Sequence, residues 1–300
     1  QNTRANVFLT GKAGTGKTTF LKSLRTRLDK AMIVVAPTGV AALNAGGMTI
    51  HSFFQISPGP YTPFSQRGGE TQGQNRFFTL RKEKVRIIRG LQLLIIDEIS
   101  MVRSDLLDAI SDVLCRYRRS SEPFGGVQLL MIGDMQQLSP VVKDDEREIL
   151  SRFYKSPYFF DSLALHKSFY TTIELTRIYR QNDRRFTDML NSVRTGVVDR
   201  AVLAEINKRY IPEFNPAPEE GYITLTTHNS TMQSINDRKL AALEGDEYTY
   251  EATVGDDFPE LIYPTEQHLR LKKGAQVMFV RNDSSSDKRY YNGKLGVVSR

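Results

Sequence analysis

Cysteine is almost missing: Cys115, in the run DVLCRY, is the only one in the chain. A lone cysteine excludes an intrachain disulfide framework and fits a reducing compartment. Set in an amphipathic pattern without partners at ligand spacing, it is expected to be a half-buried packing residue, neither a nucleophile nor part of a zinc site. No run approaches the roughly 18 consecutive apolar residues of a membrane span, so no transmembrane helix is expected. The opening QNTRANVFLTG lacks the basic region and apolar stretch of a signal peptide. Internal repeats are missing, histidines number only four, and there is no NKxD signature for reading guanine. These absences lead us to expect an intracellular protein with no membrane association and no structural metal.

What is present is ordinary globular composition, with 40% hydrophobic and 25% charged residues over 300, a length that favours about two domains. Forty-one Lys and Arg face 34 Asp and Glu, a net charge of +7. That balance suits nucleic acid, an anionic membrane surface, or no polyanion at all.

Four apolar runs punctuate the first half: ANVFLT at 5–10, MIVVA at 32–36 (stopped by Pro37 and Gly39), QLLIIDE at 92–98 and VQLLMIGD at 127–134. Separated by helical or loop segments, they predict a parallel sheet covered on both faces, an α/β fold. Helical spacing places Phe20, Leu21, Leu24 and Leu28 on one face, and Leu106, Leu107, Ile110, Val113, Leu114 and Tyr117 on another. Residues 57–76 interrupt this with prolines, glycines and polar residues, either a solvated insertion or a small subdomain near a polyanion. Helices are expected around 186–193 and 202–210, a strand at GYITLTT (221–227), and a helix over 228–243. A second domain is expected from near residue 180, and the strand-like LGVVSR at the end suggests that this domain is incomplete.

GKAGTGKT, residues 11–18, matches GxxxxGK[ST] between an expected strand and an expected helix. The glycines let backbone N–H groups curl around phosphate oxygens at a helix N-terminus. Gly11, Ala13, Gly14, Thr15, Gly16, Lys17, Thr18 and Thr19 are the candidate phosphate-loop residues. Lys17 reaches the outer phosphates and the Thr18 hydroxyl ligates Mg2+. Asp97 and Glu98 end a buried strand about 80 residues later, at the sheet edge where open parallel sheets bind ligands. Asp97 is assigned to Mg2+ and Glu98 to the attacking water. A DE pair alone is more often a solvated strand end. GDMQQLSP places Asp134, Gln136 and Gln137 at the same edge, as a sensor of the third phosphate or as a polar turn.

Together, GKAGTGKTTFL, VVAPTGVAALNAGGMTIHSFF, LLIIDEISMV, FGGVQLLMIGDMQQLSPV, LTRIYRQ and LKKGAQVMFVRND with YYNGKLGVV resemble the Pif1-like branch of superfamily 1 DNA helicases, a group related to the RecD-type enzymes. The resemblance extends over residues 7–298. It implies two RecA-like domains at 1–180 and 181–300, with ATP between them, and a small wedge-like insertion at 56–90. It further implies a monomeric 5′ to 3′ motor on single-stranded DNA that unwinds duplexes, forks and G-quadruplexes, in DNA repair, recombination and telomere maintenance. Gln137 would be the third-motif glutamine and Arg180 the arginine that reaches the transferred phosphate. Gln1 is the sole candidate for the upstream adenine-reading glutamine, and the later family motifs have not appeared by residue 300. For DNA, the resemblance nominates Thr38, Gly39, His51, Ser52 and Phe53, the wedge residues Phe64 and Phe77 with Phe78, and His228, Asn229, Lys272 and Lys273. Two other accounts stay open: a nucleotide-gated single-stranded nucleic-acid binding module, or a P-loop NTPase acting on a small substrate.

Overall fold

The computed structural model describes residues 3–57, 59–63, 80–179, 183–216, 220, 222–255, 265–280, 283, 285, 287, 289–290 and 293–299. The chain divides into two compact units, Gln1–Asn182 and Asp183–Arg300.

In the first unit, β1 (Asn6–Gly11) leads through the glycine loop into α1 (Lys17–Arg27), followed by β2 (Met32–Ala36), α2 (Gly39–Ala45), β3 (Met48–Thr49) and α3 (Ile50–Phe54). Then come α4 (Lys82–Gly90), β4 (Leu93–Ile96), α5 (Ser104–Arg118), β5 (Gln128–Ile132), α6 (Asp144–Ser151), α7 (Leu163–His166) and β6 (Tyr170–Leu175). The six strands form one parallel sheet in the order β3-β2-β4-β5-β1-β6. Because side chains alternate along a strand, Leu94 and Ile96 face a core with Phe53, Phe54, Phe124 and α5's Leu107, Ile110 and Leu114. Leu93 and Ile95 face the opposite core, built on Leu21 of α1 with Leu9 and Ile132. Burial on both faces is why these strands read as unbroken apolar runs.

Two expectations change here. Phe20 is 40% exposed, so α1 packs through Leu21, with Leu24 and Leu28 partly buried against the same cluster. The edge strand β6 was not expected: its sequence YTTIEL, five of six residues exposed, lacks the apolar run of the central strands. It still pairs with β1 over six residues, Asn6↔Tyr170 through Gly11↔Leu175.

The second unit contains α8 (Arg184–Thr195), α9 (Arg200–Asn207), α10 (Asn229–Ala242) and two antiparallel ladders, β7 (Glu247–Glu251) with β8 (His268–Lys272) and β9 (Gln276–Met278) with β10 (Leu295–Val297). No residue of α8, α9 or α10 is buried. The strand expected at 221–227 is not formed at 222–226, where Tyr222, Ile223 and Leu225 are exposed and pair with no neighbour in a ladder. Apolar alternation without a partner strand does not make a strand. The second unit therefore shows no parallel sheet among its described residues.

Candidate nucleotide site and nucleic-acid interface

β4, β5 and β1 are neighbours in the sheet, so the residues following their C-terminal ends converge. The loop after β1 turns on Gly11 (φ 143), Gly14 (φ 79) and Gly16 (φ 91), backbone conformations that side chains rarely adopt. A Cβ on Gly11 would also lie 2.4 Å from the Leu175 carbonyl oxygen of β6. Thr15 is buried and donates its hydroxyl to the Lys12 carbonyl at 2.9 Å. Lys17 donates to the carbonyls of Gly11 at 2.5 Å and Lys12 at 3.1 Å, which folds its ammonium back over the loop. Thr18 and Thr19 occupy the first turn of α1.

Asp97 is 8% exposed and accepts the Glu98 N–H at 3.1 Å. Burial pushes its carboxyl up, opposed by that hydrogen bond and by Lys17. Glu98 adopts a left-handed backbone, φ 51 and ψ 45, uncommon for a residue with a Cβ and a form of strain found at functional sites. Burial raises the Glu98 carboxyl, repulsion from Asp97 raises it further, Lys17 draws it down, and Asp134 adds repulsion. Lys17, Asp97, Glu98 and Asp134 thus share one electrostatic site. Fully buried Asp134 accepts the Gln137 side-chain amide at 3.0 Å and the Gln136 N–H at 3.1 Å, so Gln137 is held in a defined place at this edge. Gly133 permits the approach: a Cβ there would sit 2.8 Å from Ile99 Cγ2.

The residues fit a nucleoside triphosphate with Mg2+. A glycine cradle that a Cβ would fill lies beside one lysine, one hydroxyl and a self-repelling carboxylate group. Among the described residues no three acidic, His or Cys side chains close around one point.

Along the same edge, Thr38 caps α2 by accepting the Ala41 N–H at 3.2 Å, and Gly39 opens that helix. His51 and Ser52 lie on α3. Burial and the nearby Arg103 guanidinium hold His51 below its ordinary value, Asp105 opposing, so the ring is neutral at pH 7. Ser52 is exposed, and its carbonyl accepts Lys84 Nζ at 2.6 Å. Phe53 is corrected: it is 2% exposed and packs edge-on against Phe54 at 4.8 Å, so it belongs to the core and has no face for a base. In the second unit His228 and Asn229 begin α10. Lys272 donates to the Leu243 and Ala241 carbonyls at the other end, about 20 Å away along a 14-residue helix. That correction makes Lys272 largely a helix cap, while Lys273 beside it is exposed. Gln1, Phe64, Phe77, Phe78 and Arg180 lie outside the described residues.

Two features escaped the sequence. Tyr179 donates its N–H to the Gly14 carbonyl at 2.8 Å and carries the Arg177 guanidinium 5.0 Å from its ring centroid, which ties the chain beyond β6 to the phosphate loop. Its position next to Arg180 in IYRQ was the available signal. The second is a polar node on α5. Arg103 makes a two-pronged pair with Asp105 at 2.8 and 2.6 Å, reaches Glu146 of α6 at 2.7 Å, and donates to the Gly59 carbonyl at 3.1 Å. Asp105 also accepts the Tyr61 N–H at 2.9 Å. The start of the 56–90 segment is thus fastened to the helix that follows Glu98.

The family model of PIF1-like helicase matches residues 1–203 of the sequence. The chain belongs to that family. Among curated relatives of this PIF1-like protein, the ATP-dependent DNA helicase PIF1 of Danio rerio is 37% identical over 305 residues, covering 98% of this chain and 44% of the relative. The ATP-dependent DNA helicase RRM3 of Saccharomyces cerevisiae is 34% identical over 310 residues, covering 98% and 40%. The chain therefore spans about two fifths of the length of these relatives. Among solved structures, the Bacteroides Pif1 helicase in complex with ADP-AlF3 and single-stranded DNA superposes with a TM-score of 0.86 at 43% identity, over 100% of this chain and 67% of that one. The Candida albicans Pif1 helicase gives 0.76 at 34% identity, over 99% and 66%.

Proposed function

We propose that this PIF1-like chain hydrolyses Mg-ATP and couples that reaction to 5′ to 3′ movement on single-stranded DNA, unwinding forked duplexes and G-quadruplexes. The observation that carries it is the convergence of Lys17, Asp97, Glu98 and the Asp134-held Gln137 at one sheet edge, in a chain 43% identical to a helicase solved with ADP-AlF3 and single-stranded DNA.

The loop N–H groups and Lys17 bind the phosphates. Thr18 and Asp97 would hold Mg2+, which when bound supplies charge neutralisation at the phosphate oxygens. Glu98, its proton affinity raised, accepts a proton from the attacking water while Gln137 orients that water against the terminal phosphate. Arg180 supplies charge to the transferred phosphate, and Gln1 is the adenine-reading candidate. Thr38, Gly39, His51 and Ser52 make neutral phosphate contacts that carry no sequence information. Phe64 and Phe77, in the 56–90 insertion, act on the duplex junction, and His228, Asn229 and Lys273 are the DNA-contact candidates of the second unit. The motor acts as an intracellular monomer.

The test is steady-state ATP hydrolysis with and without single-stranded DNA, beside Glu98→Gln. DNA stimulation is expected, with the variant lower by about 100-fold or more. Hydrolysis indifferent to DNA would sink the motor and point to a small substrate, whereas stimulation without strand displacement would leave a nucleotide-gated binding module.

A further inference from the structure

The chain's net charge is concentrated in one place. Residues 81–90 and 116–119 hold eight Lys and Arg against the single Glu83, a net +7 equal to that of all 300 residues. The two segments meet in space. Arg89 of α4 donates to the Tyr117 carbonyl of α5 at 3.2 Å, and Arg118 donates to the carbonyls of Ile88, Arg89, Leu91 and Gly125 at 2.8 to 2.9 Å. Arg89, Arg118 and Arg119 line a concavity of about 360 Å³ there.

Helix stabilisation explains part of this charge only. Arg118 satisfies the last carbonyls of α4, as a cation at a helix C-terminus does. Arg81, Lys82 and Lys84 crowd the N-terminus of that same helix, where cations oppose the helix dipole and cost stability. Lys82, Arg86 and Arg89 follow at i, i+4 and i+7, one exposed stripe, which Arg119 continues across the concavity. Among the described residues none of these four is ion-paired. Glu122, in the turn that follows α5, has its carboxylate beside Gly126. Arg89 and Arg119 lie where β4 and β5 begin, about 15 Å along the strands from the edge that carries Asp97 and Asp134, while the Lys82 end of α4 lies beside Lys84, whose Nζ reaches the Ser52 carbonyl at 2.6 Å, so the stripe leads from the α3 DNA candidates away from the nucleotide.

We propose that Lys82, Arg86, Arg89 and Arg119 form a second nucleic-acid contact, a cationic track for a phosphodiester backbone that runs along α4 from the side of Ser52 to the start of β4, away from the nucleotide. It rests on the DNA-coupled reading above and adds a surface that reading does not use. Several cations along one line, spaced by helical turns and without acidic partners, match a regularly charged strand. Such contacts are independent of base sequence.

The test compares wild type with Arg86→Gln/Arg89→Gln/Arg119→Gln and with the three Arg→Lys changes, leaving Arg118 in place. Binding is measured against salt for a single-stranded oligonucleotide and for a fork with a duplex arm. The neutral variant should lose about tenfold affinity, with the salt slope smaller by about 2 to 3, since each phosphate contact contributes about 0.7 to 0.9. The lysine variant should keep the wild-type slope, because phosphate is bound through charge. Loss on the fork alone assigns the duplex backbone to the track, and loss on both DNAs assigns a single strand. A wild-type slope in the neutral variant on both DNAs overturns the track and leaves the patch to an acidic protein partner. Absence of DNA-stimulated hydrolysis in the wild type would instead sink the motor reading, so the two failures are distinguishable.

Discussion

The two units of the chain share an amphipathic vocabulary and differ in what covers it. In the first, Leu94, Ile95 and Ile96 are fully buried between helices on both faces of the sheet. In the second, Phe186, Leu190 and Val193 follow one face of α8 at equally regular spacing, yet are 40%, 51% and 51% exposed. Periodicity tells which face a helix offers for burial; only packing supplies stability. The largest test of the contrast is amide exchange. Central strands β4 and β5 should be protected at least about 10³-fold more than α8, α9 and α10, whose opening needs little buried surface broken. Equal protection would mean that the helices of the second unit are stabilised by contacts beyond those described.

A matched pair of substitutions sharpens the same point. Leu94→Ala removes a fully buried side chain and should cost about 3 kcal/mol. Leu190→Ala removes the same atoms from a half-exposed position and should stay within about 0.5 kcal/mol. Denaturant unfolding of both variants checks this, and comparable losses would refute the contrast.

Smaller, but still confined to the first unit, is the effect expected at Asp108. Its buried carboxylate accepts the Tyr154 hydroxyl at 2.9 Å, the Ser162 hydroxyl at 2.5 Å, and the N–H groups of Leu163 and Ala164 at 3.0 and 2.9 Å. Asp108→Asn turns one acceptor oxygen into a donor facing donors, which should cost about 2 kcal/mol. Thermal unfolding should show it; an unchanged midpoint would mean that the carboxylate is not the anchor of α7.

These contrasts explain what could be read from the chain alone. Strands β1, β2, β4 and β5 were legible because burial on both faces demands unbroken apolar runs, whereas the edge strand β6 buries little and left no such trace. Tyr222–Thr226 offered the right alternation and no strand formed, because pairing is not a local property. The nucleotide site was legible for a related reason: its groups sit in contiguous stretches around strand ends, so each stretch carries its own signature. Arg103, Asp105 and Glu146 had no such signature. Arg103 and Glu146 are 43 residues apart, and an acid at a buried helix position looks in sequence like any residue of a polar face. Phe53 shows the converse error, an aromatic beside polar DNA candidates that packing turns inward.

The smallest effect separates chemistry from stability within the first unit. Glu98 has its carboxyl raised from 4.5, chiefly by burial and then by Asp97. The folded chain therefore binds this proton more tightly than the unfolded chain does. The sign follows: stability from this group is greatest below the unfolded value and declines as pH rises through the folded one, leaving a cost at neutral pH. Glutamine carries no charge at any pH, so Glu98→Gln should abolish most hydrolysis and yet melt slightly higher than wild type at pH 8, the gain disappearing near pH 4. Paired thermal melts at the two pH values measure the difference, which includes the relief of Asp97 and Asp134 from the Glu98 charge. A variant less stable at pH 8 would show that attraction to Lys17 outweighs desolvation and the repulsion from Asp97 and Asp134, and that the carboxylate edge is balanced before any phosphate or cation binds.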